Sequence, residues 1–353
     1  QDPLYAADLE IKTVKELQDA LQTAIELEHA TIPTYLCALY SIKPGFNAEA
    51  ANLIRSIVLE EMLHMSLACN ILNAIGGSPA INKPKFVPEY PTRLPGNLRP
   101  DLTVTLKKCS IAQIQDVFMS IEEPAKTIEP TEGEGTEATQ SVRQHHMRTI
   151  GWFYKQIEKG LDSLHKQLGD KLFSGSRDRQ LKKWYDAGQY GVTRGRMIEV
   201  TDIGSARRAI REICKQGEGA SPIKPSDGYN ELAHFYKFEE IVRGRSIVLQ
   251  PDGYSFSGGE INFDPDGVYP MVDNPKTASL PPGSQAQLLS EQFNEGYANM
   301  LDVLHRTFNG HPDALKNGIG QMFALSVLAR KLMSTQIPGT SKNAGPSFEM
   351  PRG

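Results

Sequence analysis

Residues 47–77, NAEAANLIRSIVLEEMLHMSLACNILNAIGG, constrain the fold more than any other stretch. At helical spacing, positions 54, 57, 61, 64, 68, 71 and 75 read Ile54, Ile57, Glu61, His64, Ala68, Ile71 and Ile75, one apolar stripe interrupted only by a carboxylate and an imidazole. An ionised carboxylate inside a core costs several kcal/mol unless a cation or strong hydrogen bonds compensate it, so the stripe predicts a partner. A Glu-x-x-His pair projecting into a helical bundle is the half-site of a dimetal carboxylate centre, which requires a second such pair and two further glutamates.

The remaining residues supply candidates in the required chain order. A first helix is predicted over 9–39, with Leu17, Leu21, Ile25, Ile32, Tyr35 and Leu39 on one face and Glu28 on the same stripe. Glu26 and His29 also form a Glu-x-x-His pair, but Glu26 is far from the centre of that face and His29 sits at its edge, which favours Glu28 as the inward group. Pro33 inside the helix can shift the phase, so the choice between Glu28 and this pair stays open. Asn47 is the expected N-cap of the second helix. A third helix is predicted over 142–168, with His146, Ile150, Phe153, Tyr154 and Ile157 inward and Glu158 at the margin of the face. A fourth over 228–242 carries Glu231, His234, Phe235, Phe238 and Ile241 on one face.

These elements predict a mainly α fold, a four-helix bundle over 1–243 with two insertions, at about 77–141 and 169–227. The first insertion is rich in Pro and contains an alternating stretch at 102–106 and a short helix at 111–120; its acidic, Gly-containing part, 129–140, reads as an exposed loop. The second contains a short amphipathic helix. From 244 to 353 two Pro-Asp-Gly turns mark a hairpin region, and two further helices at 285–308 and 314–333 pack on the bundle.

The predicted metal ligands are thus Glu28, Glu61, His64, Glu158, Glu231 and His234, holding two metal ions. Four carboxylates and two neutral imidazoles match the charge of two divalent cations. Mixed carboxylate and imidazole donors suit iron first, with manganese or a mixed pair as alternatives. Tyr35 and Tyr154, on inward faces one or two turns from these ligands, are the candidate catalytic side chains, as hydrogen-bond donors or oxidisable groups.

Charge bounds the partners. Lys+Arg 38 against Asp+Glu 42 gives a formal net charge of −4, with no basic run to track a phosphate backbone, so nucleic acid is not an expected partner. No apolar run reaches the roughly 18 residues of a membrane span. The four cysteines are far apart and form no Cys-x-x-Cys, which fits a reducing, cytoplasmic setting; Gln1 is no natural start and leaves a removed leader open. The expected partners are a small-molecule substrate and O2, and self-association is compatible with the sequence.

The runs AIELEHATIPTYLCALYSI, IVLEEMLHMSLACNILNAIGGSP, TIGWFYKQIEKGL and ELAHFYKFEEI, with the insertion LRPDLTVTLKKCSIAQIQDVFMSIEEP, resemble the ferritin-like domain of iminophenyl-pyruvate dimer synthases, enzymes of violacein- and rebeccamycin-type biosynthesis. The resemblance covers most of residues 9–243. It implies a ferritin-like bundle and oxidative chemistry on an amino-acid-derived substrate, with imine coupling as one such reaction. The expectation is therefore a non-haem dimetal, O2-dependent oxidase or oxygenase. The competing class is an iron-storage or structural bundle, which has no use for such large insertions around the bundle.

Overall fold

A computed structural model describes residues 9–124, 126–128, 142–144, 148–184, 195–218, 225–226, 231–251 and 253–351. Helix α1 (Val14–Ser41) starts at a capping box: Thr13 Oγ1 accepts from the Glu16 amide, and the Glu16 carboxylate accepts from the Thr13 amide. It runs unbroken through Pro33, so the phase that turns Glu28 inward holds. Helix α2 (Ala48–Ala74) packs along it. Asn47 does not cap α2 with its side chain. It has a left-handed backbone (φ 48°), and its amide exchanges hydrogen bonds with the backbone of Asp264, at 2.9 and 2.7 Å, tying the helix start to the 260s loop.

A helical segment over 111–121, α3, holds a π turn at Ile114–Phe118. The third bundle helix, α4 (Ile150–Leu168), begins eight residues later than the sequence pattern suggests. Its cap is Thr149, whose hydroxyl accepts from the Trp152 amide, and Val142–Gln144 is instead a strand paired antiparallel with Lys126–Ile128. His146 and the acidic stretch 129–140 lie outside the described residues.

The fourth wall differs from expectation. It is α5 (Ile203–Glu218), which packs on both α2 and α4 and closes the square begun by α1 with α2 and with α4. The sequence pattern assigns this helix to an insertion. Its approach to α2 is fixed by polar groups: buried Asn70 bonds the Leu181 backbone at both its donor and its acceptor and also reaches the Ile198 carbonyl, while Gln180 accepts from the Val200 amide. Gly175 passes so close to the end of α2 that a Cβ there would lie 1.7 Å from the Asn73 carbonyl oxygen, so only glycine fits that crossing.

The helix expected as the fourth wall is short. It is α6 (His234–Arg243), which packs across α2, α3 and α5. Residues 228–230 of its predicted start lie outside the described residues, and Glu231 to Ala233 are not helical, with Leu232 in a bridge to Ser226.

After α6, Val248–Gln250 pairs with Gly253–Ser255 in a hairpin, whereas the second Pro-Asp-Gly, at 265–267, forms a 3-10 turn. Among the described residues the stretch at 102–106 makes one bridge, Val104 with Thr92. Helix α7 (Gln285–Phe308) matches the predicted bounds, and the last predicted helix is broken at Leu325 into α8 (Leu315–Ala324) and α9 (Ser326–Met333). These pack on the outside of α1 and α2 and share the main core. Among the described residues no helix is long and apolar enough to cross a membrane.

Candidate metal centre

Inside the square of helices lies a cluster of acids and imidazoles. Glu28 of α1, Glu61 and His64 of α2, His234 at the first turn of α6 and Glu122, one residue past α3, are all buried. Glu61 and His64, three apart on α2, face the same interior, as their stripe requires. Glu61, His64 and His234 each offer a donor atom within 4.8 Å of the others. His64 and His234 stack, with ring centroids 5.3 Å apart.

The orientation of the two imidazoles defines what the cluster can hold. His64 Nε2 lies 2.8 Å from Gln216 Oε1 of α5, and His234 Nε2 lies 2.9 Å from Glu60 Oε2. Lys237 holds Glu60 from the other side at 2.8 and 3.0 Å. Despite its burial, the Lys237 ammonium and the His234 contact bring the Glu60 carboxyl down to about 2, so Glu60 is ionised and only accepts. The His234 Nε2 must therefore donate. In a neutral ring that leaves a lone pair on Nδ1, which lies 2.7 Å from Glu61 Oε1 and 3.4 Å from Glu122 Oε2 but makes no hydrogen bond of acceptable geometry. His64 Nδ1 likewise faces Glu28 and Glu61 at 3.7 and 4.0 Å.

Acceptor atoms converging in a dry interior repel one another unless a proton or a cation lies among them. Burial, and then the Glu122 charge, raise the Glu61 carboxyl well above the usual carboxylate range. Burial disfavours the His234 imidazolium, yet the charges of Glu61 and Glu122 outweigh it and raise its pKa. Both shifts say that the cluster is short of positive charge. Carboxylate and Nδ1 donors, with each Nε2 anchored behind, are the donor set and backing that divalent transition metals use. The residues present fit such a group.

Two tyrosines close the cluster. Tyr35 donates to Glu122 Oε1 at 2.5 Å, and Tyr154 donates to Glu28 Oε1. Burial, reinforced by those same carboxylates, raises both phenols, so each stays protonated as a donor. Thr31 Oγ1 donates to the Glu28 carbonyl at 2.8 Å and lies 3.3 Å from Glu61 Oε2. A cleft of about 360 Å3, counting its open mouth, reaches Glu28, Glu61, His64 and Glu122 between Ile150 and Gly151 of α4 and Ile213, Cys214 and Gly217 of α5. Its space wide enough for a water is about 20 Å3.

Of the six ligands expected from sequence, Glu28, Glu61, His64 and His234 meet in this cluster. Glu158 does not: it is half-buried on α4, one turn beyond Tyr154, and it is not among the residues lining the cleft. Glu231 does not either, because α6 begins at His234; its carboxylate lies 3.9 Å from Lys237 instead. The third carboxylate is Glu122, which the sequence pattern leaves unassigned although it stands four residues after Phe118 on the apolar side of α3. The pair at Glu26 and His29 lies elsewhere: Gln22 bonds Glu26, and His29 accepts from or donates to the Tyr297 hydroxyl at 2.6 Å. With Glu60 neutralised by Lys237, three carboxylates carry the charge of the cluster, one fewer than the sequence pattern implies.

A model of the family described as ferritin-like matches residues 21–243, well over half of the chain. The protein belongs to the ferritin-like family. A crystal structure of a ferritin-like protein from Caulobacter vibrioides superposes with a TM-score of 0.60 at 23% identity, covering 97% of this chain and 100% of that one. At that identity the likeness speaks for the fold. No curated protein sequence matches the chain.

Proposed function

We propose that the cluster binds transition metal ions, iron in the first place and two at full loading, and that the protein is an O2-dependent oxidase or oxygenase acting on a small, amino-acid-derived metabolite. The observation that carries the metal reading is the placement of both Nδ1 atoms toward Glu28, Glu61 and Glu122, with Gln216 and Glu60 behind the rings. Glu28, Glu61, Glu122, His64 and His234 would hold the metal, and bound iron would supply electrons to O2. The resemblance of the first two helices to the imine-coupling synthases supports the substrate class.

The chain's own groups prepare the site. Gln216 and Glu60 fix the tautomers of the two imidazoles. Tyr154 and Tyr35 hold one oxygen each of Glu28 and Glu122 and keep their protons at those atoms. Ile121, Ile150 and Ile213 line the cleft and limit water around the cluster. Its bore suits a diatomic gas, and an organic substrate would meet the cluster from the mouth.

The test begins with metal content after expression in iron-supplemented medium, followed by anaerobic Fe(II) loading and addition of O2 with and without aromatic amino acids and their imines. The reading expects at least one iron per chain and an oxygen uptake whose rate or stoichiometry an organic compound changes. Uptake that only deposits ferric mineral would give the storage reading instead. Failure to bind any transition metal would end both.

A further inference from the structure

A second cavity is remote from the cluster. It has a volume of about 610 Å3 and lies where the end of α1, the 43–46 turn and the start of α2 meet α8 and α9. Tyr40, which lines it, is 12 residues along α1 from Glu28, roughly 18 Å at 1.5 Å per residue.

Its lining has three cationic side chains, Lys43, Arg55 and Arg330, and no acidic one. Lys43 is engaged by the Asp266 carbonyl at 2.7 Å. The guanidiniums are not neutralised: Arg55 donates to the Asn52 side-chain oxygen at 2.7 Å, and neither arginine pairs with a carboxylate among the described residues. Arg330 Nε is buried and meets no acceptor. Burial, and then the Arg330 charge, push the Arg55 pKa down, the direction expected for two like charges facing one half-buried space. Asn52 and Ser326 add neutral polar groups, and the remaining wall is apolar and aromatic, with Tyr40, Phe46 and Phe323; the Tyr40 hydroxyl is turned away to the Met322 carbonyl, leaving its ring at the cavity.

A planar guanidinium presents paired N–H donors that match the oxygens of carboxylate and phosphate groups. We propose that this cavity is a second binding site, for a small organic dianion with an apolar body, a phosphate monoester or a dicarboxylate, whose oxygens are held by Arg55 and Arg330 and whose apolar part rests on Phe46 and Phe323. Its volume falls within the range of small-molecule sites, about 300–1,000 Å3. The proposal does not depend on the metal reading, since no residue is shared between the cavity and the cluster.

Phenyl phosphate, phthalate and inorganic phosphate are the probes, titrated into the full-length, metal-supplemented protein by calorimetry and thermal denaturation. Phenyl phosphate or phthalate should bind saturably, inorganic phosphate at least tenfold more weakly, and sodium chloride at matched ionic strength should give no saturable shift. Which of the two aromatic dianions binds more tightly decides between phosphate and dicarboxylate. The R55Q/R330Q double variant should lose the binding while keeping its metal content. Should that variant fail to fold, phenylglyoxal labelling of the wild-type protein gives the same answer: the tighter dianion should slow modification at Arg55 and Arg330, read by peptide mass spectrometry. Equal binding by the double variant, no saturable binding by either aromatic dianion, or no protection at these two arginines would overturn the assignment.

Discussion

His234 Nε2 lies 2.9 Å from Glu60 Oε2, and the same oxygen lies 2.8 Å from Lys237 Nζ, so an ionised carboxylate stands between a buried ammonium and an imidazole of the cluster. The charge of Lys237 keeps Glu60 an acceptor, and Glu60 in turn keeps the ring nitrogen on the other side available. Glu60→Gln should lower metal affinity by about 10- to 100-fold, the usual cost of losing a group that orients a ligand, and should also destabilise the fold, because it leaves the buried Lys237 ammonium without that carboxylate. Lys237→Met, which keeps Glu60 behind the His234 ring, should act on metal affinity much less and lower stability by about 3–5 kcal/mol, because it leaves a buried carboxylate without its cation. Metal titration and chemical denaturation of the two variants separate these effects.

The three candidates for a further carboxylate ligand are distinguished by metal occupancy. Glu122→Gln should reduce metal occupancy strongly, whereas Glu158→Gln and Glu231→Gln should leave it within error of the wild type, because of these three it is Glu122 that faces His234 Nδ1. Elemental analysis after identical iron supplementation reads the difference. Retained occupancy in Glu122→Gln together with loss in Glu158→Gln would show that the ligand set differs from the one proposed.

Thiol chemistry reports on the cleft. Cys37, Cys69 and Cys109 are buried, and burial raises all three thiols, Cys109 to about 12, so none should react with a disulfide reagent at pH 8 in the native protein. Cys214, half-exposed and on the cleft wall, should react first. Native titration should find about one reactive thiol against four after unfolding, and a bulky adduct at Cys214 should slow removal of metal by a chelator.

The C-terminal segment supplies a pH dependence away from the cluster. Burial alone would raise the Glu349 carboxyl, but the Thr277 amide and hydroxyl, both 2.9 Å from Oε2, outweigh it and lower the pKa below 4.5. A carboxyl whose folded pKa is lowered contributes stability that is fully present above its unfolded value and is lost as pH falls through the folded one. At pH 7 Glu349→Gln should cost about 1–2 kcal/mol, the scale of hydrogen bonds to a charged group. The difference from wild type should shrink below about pH 4.5, and melts from pH 7 to pH 3 will show whether the two curves converge.

The sequence pattern discloses the parts of the site that sit on long regular helices. Glu28, Glu61 and His64 follow from apolar stripes that continue for several turns on both sides, and α1 stays in phase across Pro33. Where helices are short or start late, the pattern misleads. Glu122 follows a π turn by a few residues, so no stripe extends through it. Glu231 precedes its helix, so a helical wheel gives its direction no meaning, while His234 reaches the cluster as the first residue of α6. Helix α5 was legible as amphipathic, but nothing local reveals that it, rather than α6, closes the bundle; that depends on Asn70 and Gln180 fastening the preceding loop to α2. Gln216 became visible only with that packing.

Among the described residues, α4 and α5 bring no carboxylate to the cluster: Tyr154 and Gln216 bond to it from that side, and its negative charge comes from α1, α2 and the end of α3. On that side the cleft is lined by the uncharged Ile150, Gly151, Tyr154, Ile213, Cys214 and Gly217, and Glu123, which also lines it, is paired with Arg99. The interior thus has a polarity across the bundle: an uncharged guest entering there passes uncharged side chains of α4 and α5, while a hydrated cation must shed its water where the space wide enough for one is only about 20 Å3. The route that suits a gas is therefore a poor one for exchanging metal, and an ion once seated would leave slowly.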